Sequence, residues 1–132
     1  MKPAAVNNNG HGILSDRERT NIQNEIKDFL VRYFKKKPGN GVAGLKVDLY
    51  KEMLLIRIEG FLTGPEKLTA STASGIETVR ASLGQDAREV IDENMEILEK
   101  KLGAKVFHQS YDIDPEKDFA TYLIVFDRIL TD

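Results

Sequence analysis

The sequence contains no cysteine, no tryptophan, only four prolines and no long hydrophobic run. The missing thiols exclude a disulfide scaffold, a thiolate zinc site, a Cys-ligated iron–sulfur cluster and a cysteine nucleophile. They also suit a reducing compartment. Apolar runs are short, Met53 to Ile56 among them, whereas a membrane-crossing helix needs about twenty residues. Met1 to Gly12 is polar and Asn-rich, without the apolar stretch of a secretory signal. The expectation is a cytoplasmic protein with no direct membrane insertion.

Chemistry-bearing residues are equally sparse. Of the two histidines, His11 lies in a polar N-terminal stretch and His108 has no carboxylate or second histidine at ligand spacing. No metal site is expected, because a site needs three or four converging ligands. There is no G-x-S-x-G elbow, and Ser71, Ser74 and Ser82 have no distinguishing context. Gly39-Asn40-Gly41 and Gly44 follow a predicted helix and precede a predicted strand. A phosphate cradle needs the reverse order, with the loop feeding a helix N-terminus. The expectation is therefore a non-enzymatic protein with no catalytic residues and no cofactor.

What is present is enough for one folded domain. The 132 residues are 41% hydrophobic, and a chain of this size buries about two-thirds of its unfolded surface. The net charge of −2 argues against nucleic-acid binding but conceals an asymmetry. Residues 1–60 hold 11 Lys and Arg against 7 Asp and Glu, a net +4, and residues 61–132 hold 8 against 14, a net −6. Two such halves could meet head-to-tail between copies, or each excess could simply be a solvated helix face. The run Arg32 to Lys37, with its interleaved Tyr33 and Phe34, reads as the basic last turn of a helix.

Residues 1–14 lack periodicity and read as a disordered tail, which leaves 15–132 as a single domain. Ser15 and Glu18 form a capping box, and Ile22, Ile26, Phe29, Leu30, Tyr33 and Phe34 follow at helical spacing. Pro38-Gly39 ends that helix. Leu45, Val47 and Leu49 alternate with polar residues, Lys51-Glu52 turns, and Met53 to Phe61 makes a second strand. On the second strand Leu54, Ile56 and Ile58 share one face, and Met53, Leu55, Arg57, Glu59 and Phe61 share the other. Thr63 and Glu66 repeat the capping box for a short helix from Pro65 to about Ser71.

A long helix is predicted from Ile76 to Leu102, bent or interrupted at Gly84. Ala104 to Ile113 and Phe119 to Asp127 then form a second hairpin about Asp114-Pro115-Glu116-Lys117. The predicted fold is α+β: a two-layer sandwich with a four-stranded antiparallel sheet from two β-hairpins. Two long helices and one short helix complete it, in the order αββααββ.

The sharpest local anomaly is the charged pair Arg57 and Glu59 on a strand that reads as central. Charges there must be paired, or lie at an interface or pocket. Two long helices can cover only one face of the sheet, so the other face would expose Met53, Leu55 and Phe61. A homodimer through that face is expected, with Arg57 paired to a glutamate across the axis. A small-molecule-binding module with a pocket near Arg57 is the alternative, and an enzyme using Arg57, Glu59 and Glu66 is a more distant one.

The stretch Arg57 to Lys67, reading R-x-x-G-x-L-T-x-x-E-K in outline, resembles the signature of the MpsC family. The similarity extends through Gly75, Val79-Arg80 and Gly103-Ala104-Lys105-Val106 to Tyr122-Leu123-Ile124-Val125-Phe126. Family members often carry Arg-Gly-Pro after the first helix, where this chain has Lys36-Lys37-Pro38. The resemblance implies an accessory protein of a sodium-translocating, membrane-potential-generating system, with a membrane transport-system protein as partner. It supplies no catalytic residues. Arg57, Glu59, Phe61, Glu66 and Arg80 are the candidate interface or ligand residues.

Overall fold

The computed structural model describes residues 12–36 and 41–132. Its elements are α1 (Asp16–Lys35), β1 (Gly44–Tyr50), β2 (Met53–Glu59), α2 (Gly64–Thr69), α3 (Ala73–Leu102), β3 (Val106–Asp114) and β4 (Phe119–Phe126). The strands form one antiparallel sheet in the order β1-β2-β4-β3. This is the expected α+β architecture, with β2 central as read from its sequence and β4 beside it.

Both capping boxes are present. The Ser15 hydroxyl accepts from the Glu18 amide while the Glu18 carboxylate accepts from the Ser15 amide, and Thr63 and Glu66 do the same for α2. Each satisfies amides that the first helical turn would otherwise leave without partners. Lys100 and Lys101 occupy the last turn of α3, which Gly103 closes in the left-handed region at φ +63°.

All the buried strand side chains point toward the helices. One core cluster gathers Leu14 and Ile22 with Leu49, Leu54, Leu102, Ile124 and Leu130, and a second gathers Phe34, Phe61, Val79 and Leu83 with Ile58 and Ile113. Helix α1 runs from the first cluster to the second and α3 runs back, so the two helices lie antiparallel on the same sheet face. Ile56 touches both clusters at the midpoint.

Several boundaries differ from the sequence expectations. Part of the expected tail belongs to the fold: Leu14 is buried, its amide donates to the Leu130 carbonyl at 2.8 Å, and Gly12 is buried as well. Residues 1–11 of that tail, with His11, and the Lys37-Pro38-Gly39-Asn40 turn lie outside the described residues. Helix α3 starts at Ala73, capped by Thr72, and is continuous through Gly84. At 1.5 Å per residue its 30 residues span about 45 Å. Ile97, near its C-terminal end, is 61% exposed.

Phe61 is the main correction. Alternation along β2 places it with Arg57 and Glu59, yet it is 6% exposed and packs on Phe34 at 5.9 Å between ring centroids. Strand β2 ends at Glu59, and Gly60 at φ +64° swings the chain over to the helix side. Alternation stops where the pleat stops.

Candidate functional site

Among the described residues, two surfaces are left unfilled, one on each side of the sheet. The first is a groove between α1 and α3. The groove has a volume of about 470 Å³ and is floored by Leu54, Ile56 and Ile124. Ile26, Phe29 and Leu30 of α1 form one wall, and Val90, Ile91, Met95 and Leu98 of α3 form the other. Lys101 bridges to Glu25 across one end at 2.6 Å.

A smaller space of about 70 Å³ continues from the groove toward the second core cluster. Its lining brings Tyr33, Tyr122 and Asp86 together among apolar side chains. Burial raises both phenols above the usual tyrosine value, with further contributions from Asp86 and, at Tyr122, from Tyr111.

The second surface is the sheet face turned away from the helices. In its middle, Leu55 on β2 pairs with Leu123 on β4, and Met53 pairs with Val125. Leu55 is 43% exposed. On the edge strand β1, Tyr50, Asp48 and Lys46 stand level with Met53, Leu55 and Arg57. On the opposite edge, His108, Ser110 and Asp112 of β3 stand level with Val125, Leu123 and Thr121. An apolar centre thus lies between one edge bearing a lysine and another bearing an aspartate.

The residues singled out from sequence do not converge. Arg57 and Glu59 lie on this open face, joined at 3.2 Å with side chains 55% and 51% exposed. The Arg57 guanidinium also stands 5.5 Å from the Phe119 ring centroid, a cation–π distance. The pair is therefore exposed rather than buried, and the pocket lies on the other side of the sheet from Arg57. Phe61 is in the core. Glu66 accepts from the Thr63 amide in the α2 cap. Arg80 pairs with Glu77 and donates to the Ile113 carbonyl at 3.0 Å, which ties α3 to β3.

Sequence reading missed two anchoring residues. Arg128 donates to the carbonyls of Leu102, Gly103 and Gly12 at 2.9, 2.8 and 3.2 Å, closing the C-terminus of α3 and fastening the N-terminal segment. Asp118, at φ +53°, accepts from the amides of Phe61 and Leu62, both at 2.9 Å. Neither had a local signal, because each works on partners more than twenty residues away. Among the described residues, no cluster of three or more His, Asp or Glu side chains suits a metal, and no helix is long and apolar enough to cross a membrane.

Comparison with known proteins gives a consistent picture. The uncharacterized protein YrhF of Bacillus subtilis is 31% identical over 107 residues, covering 79% of this chain and 86% of its own length. The uncharacterized protein YbcI of the same organism is 23% identical over 94 residues, covering 70% and 76% respectively. No solved structure matches the chain significantly. Residues 18–128 match the family model described as "Na+-translocating membrane potential-generating system (MpsC)". That match runs from the first turn of α1 past the end of β4, so the chain belongs to the MpsC family.

Proposed function

We propose that this chain is a non-enzymatic accessory protein of a cation-translocating, membrane-potential-generating system, acting from the cytoplasm as a homodimer. The family match over residues 18–128 is the observation that carries the reading. Two structural features support it. The groove between α1 and α3 is apolar and open, as a docking site for a partner segment would be. The open sheet face leaves Leu55 and Tyr50 exposed at 43% and 50%, in keeping with cover by a second copy.

Deletion of the gene in its host tests the role. Potential generation by inverted membrane vesicles, followed with a voltage-sensitive dye under a sodium gradient, is expected to fall and to return with the wild-type chain. Ile97→Glu alters an exposed position on the groove rim, so it should fold normally and fail to restore the potential. An unchanged potential in the deletion strain would overturn the reading.

The groove also favours a second reading, a small-molecule-binding module, because about 470 Å³ falls within the range of ordinary ligand pockets. A metabolite that raises the melting temperature of the wild type but not of Leu30→Trp would support it. Silence across a broad metabolite panel would count against it.

A further inference from the structure

The strand register of the open face matches itself under one particular rotation. Take a two-fold axis running parallel to the strands, midway between two stacked sheets and centred between β2 and β4. It exchanges β1 with β3 and β2 with β4 while keeping every residue at its own level along the strands. Leu55 then sits over the partner's Leu123, and Met53 over the partner's Val125. At the edges Lys46 meets the partner's Asp112, Asp48 meets the partner's Ser110, and Tyr50 meets the partner's His108. Apolar centre meets apolar centre, and each edge group meets one of complementary chemistry.

A two-fold perpendicular to the strands gives a poorer match. Centred on Ile56, it would reverse the levels and seat Arg57 on the partner's Leu55 and Glu59 on the partner's Met53, whereas the parallel axis seats Arg57 on the partner's Thr121 and leaves only Glu59, at the end of its strand, on an apolar residue, the partner's Phe119. Desolvating those charges on apolar side chains is unfavourable.

We infer that two copies stack their open sheet faces about a two-fold axis parallel to the strands, with Lys46 of each copy paired to Asp112 of the other. This rests on the homodimer reading given above and specifies its geometry. The stack is a sandwich of two aligned sheets, about 10 Å apart and rotated by the roughly 30° that sheet twist imposes. Four strands at about 4.8 Å and seven-residue strands at about 3.3 Å per residue make a face about 19 Å by 23 Å. That is near the lower end for a specific interface, and a dissociation constant in the micromolar range is expected. Because the interface is isologous, each dimer contains the Lys46–Asp112 contact twice.

Charge reversal at the two edges tests the register. Lys46→Asp and Asp112→Lys lie on the exposed face of edge strands and leave the core untouched. Each variant alone sets like charges opposite one another, and sedimentation equilibrium should show its dimer weakened about tenfold. An equimolar mixture of the two variants restores opposite charges at both contacts, so it should dimerise within about threefold of wild type. A wild-type chain that stays monomeric up to high micromolar concentration would overturn the homodimer reading itself. A dimer indifferent to both substitutions, or variants that stay weak when mixed, would overturn the register while leaving the homodimer standing.

Discussion

The hydroxyl of Tyr111 lies 2.9 Å from where a β-carbon on Gly84 would stand, so the glycine is a notch that lets α3 rest on β3. In the middle of a helix, glycine costs about 1 kcal/mol relative to alanine. Close contact with Tyr111 accounts for its presence better than a bend, because α3 is continuous through this point. Arg88 meets the same hydroxyl at 3.2 Å and fixes its position.

The notch can be tested by a double-mutant cycle. In a Tyr111→Ala background, Gly84→Ala should stabilise by about 0.5–1 kcal/mol, as helix propensity alone dictates. In the wild-type background the same change should be destabilising, for a coupling of about 1–2 kcal/mol. Urea unfolding of the four proteins measures it. Additive effects would show that Tyr111 does not require the glycine.

Gly60 directs Phe61 into the core. Its φ of +64° is strained for any residue with a side chain, and a β-carbon there would stand 2.5 Å from that of Ala43. Gly60→Ala should therefore cost about 2–4 kcal/mol, combining a left-handed backbone with overpacking. Ala43→Gly in the same chain should recover only the overpacking share. Thermal unfolding reports both.

Asp118 secures the same turn from the opposite hairpin. Its carboxylate receives two amides, and its own carbonyl accepts from the Gly60 amide at 2.9 Å. Asp118→Ala should cost about 2–3 kcal/mol, since it leaves two part-buried amides without partners. Asp118→Asn keeps an acceptor oxygen and tolerates positive φ, so it should cost less than half as much. Equal losses would mean that the carboxylate charge matters more than its geometry.

Burial raises the Tyr122 phenol above the usual tyrosine value, with Tyr111, Tyr33 and Asp86 adding to the effect. The sign of the pH dependence follows. Above about pH 10 the unfolded chain releases this proton while the folded chain keeps it, so the unfolded state binds fewer protons and stability falls. Below that pH the phenol is protonated in both states and contributes no pH dependence. Urea midpoints between about pH 9 and pH 11.5 should therefore decline, and the decline should be shallower in Tyr122→Phe.

Much of the architecture was legible because its signals are local. Ser15 with Glu18 and Thr63 with Glu66 announce helix starts through bonds that span three residues. The alternation of Leu45, Val47 and Leu49 announces a strand through the pleat. The candidate sites were less legible. Arg57 and Glu59 drew attention as charges on a central strand, but no local pattern announced that they pair with each other within one chain. In the chain itself the helices cover one face only, and the pair sits in the open. Arg128 and Asp118 carried no signal at all, because each binds backbone groups brought near only by the completed fold.

The sequence by itself determined which segments are helix and strand, and where the capping boxes start α1 and α2. Those properties depend on residue spacing and on bonds within a few positions. Tertiary structure alone decided that Phe61 crosses to the core and that Gly84 is a notch rather than a bend. It also decided that α1 and α3 leave a groove between them over Ile56, and that Lys46 and Asp112 stand on opposite edges at one level. Each of these results from packing distant segments against one another, where steric fit and strand register set the outcome and no local pattern records it.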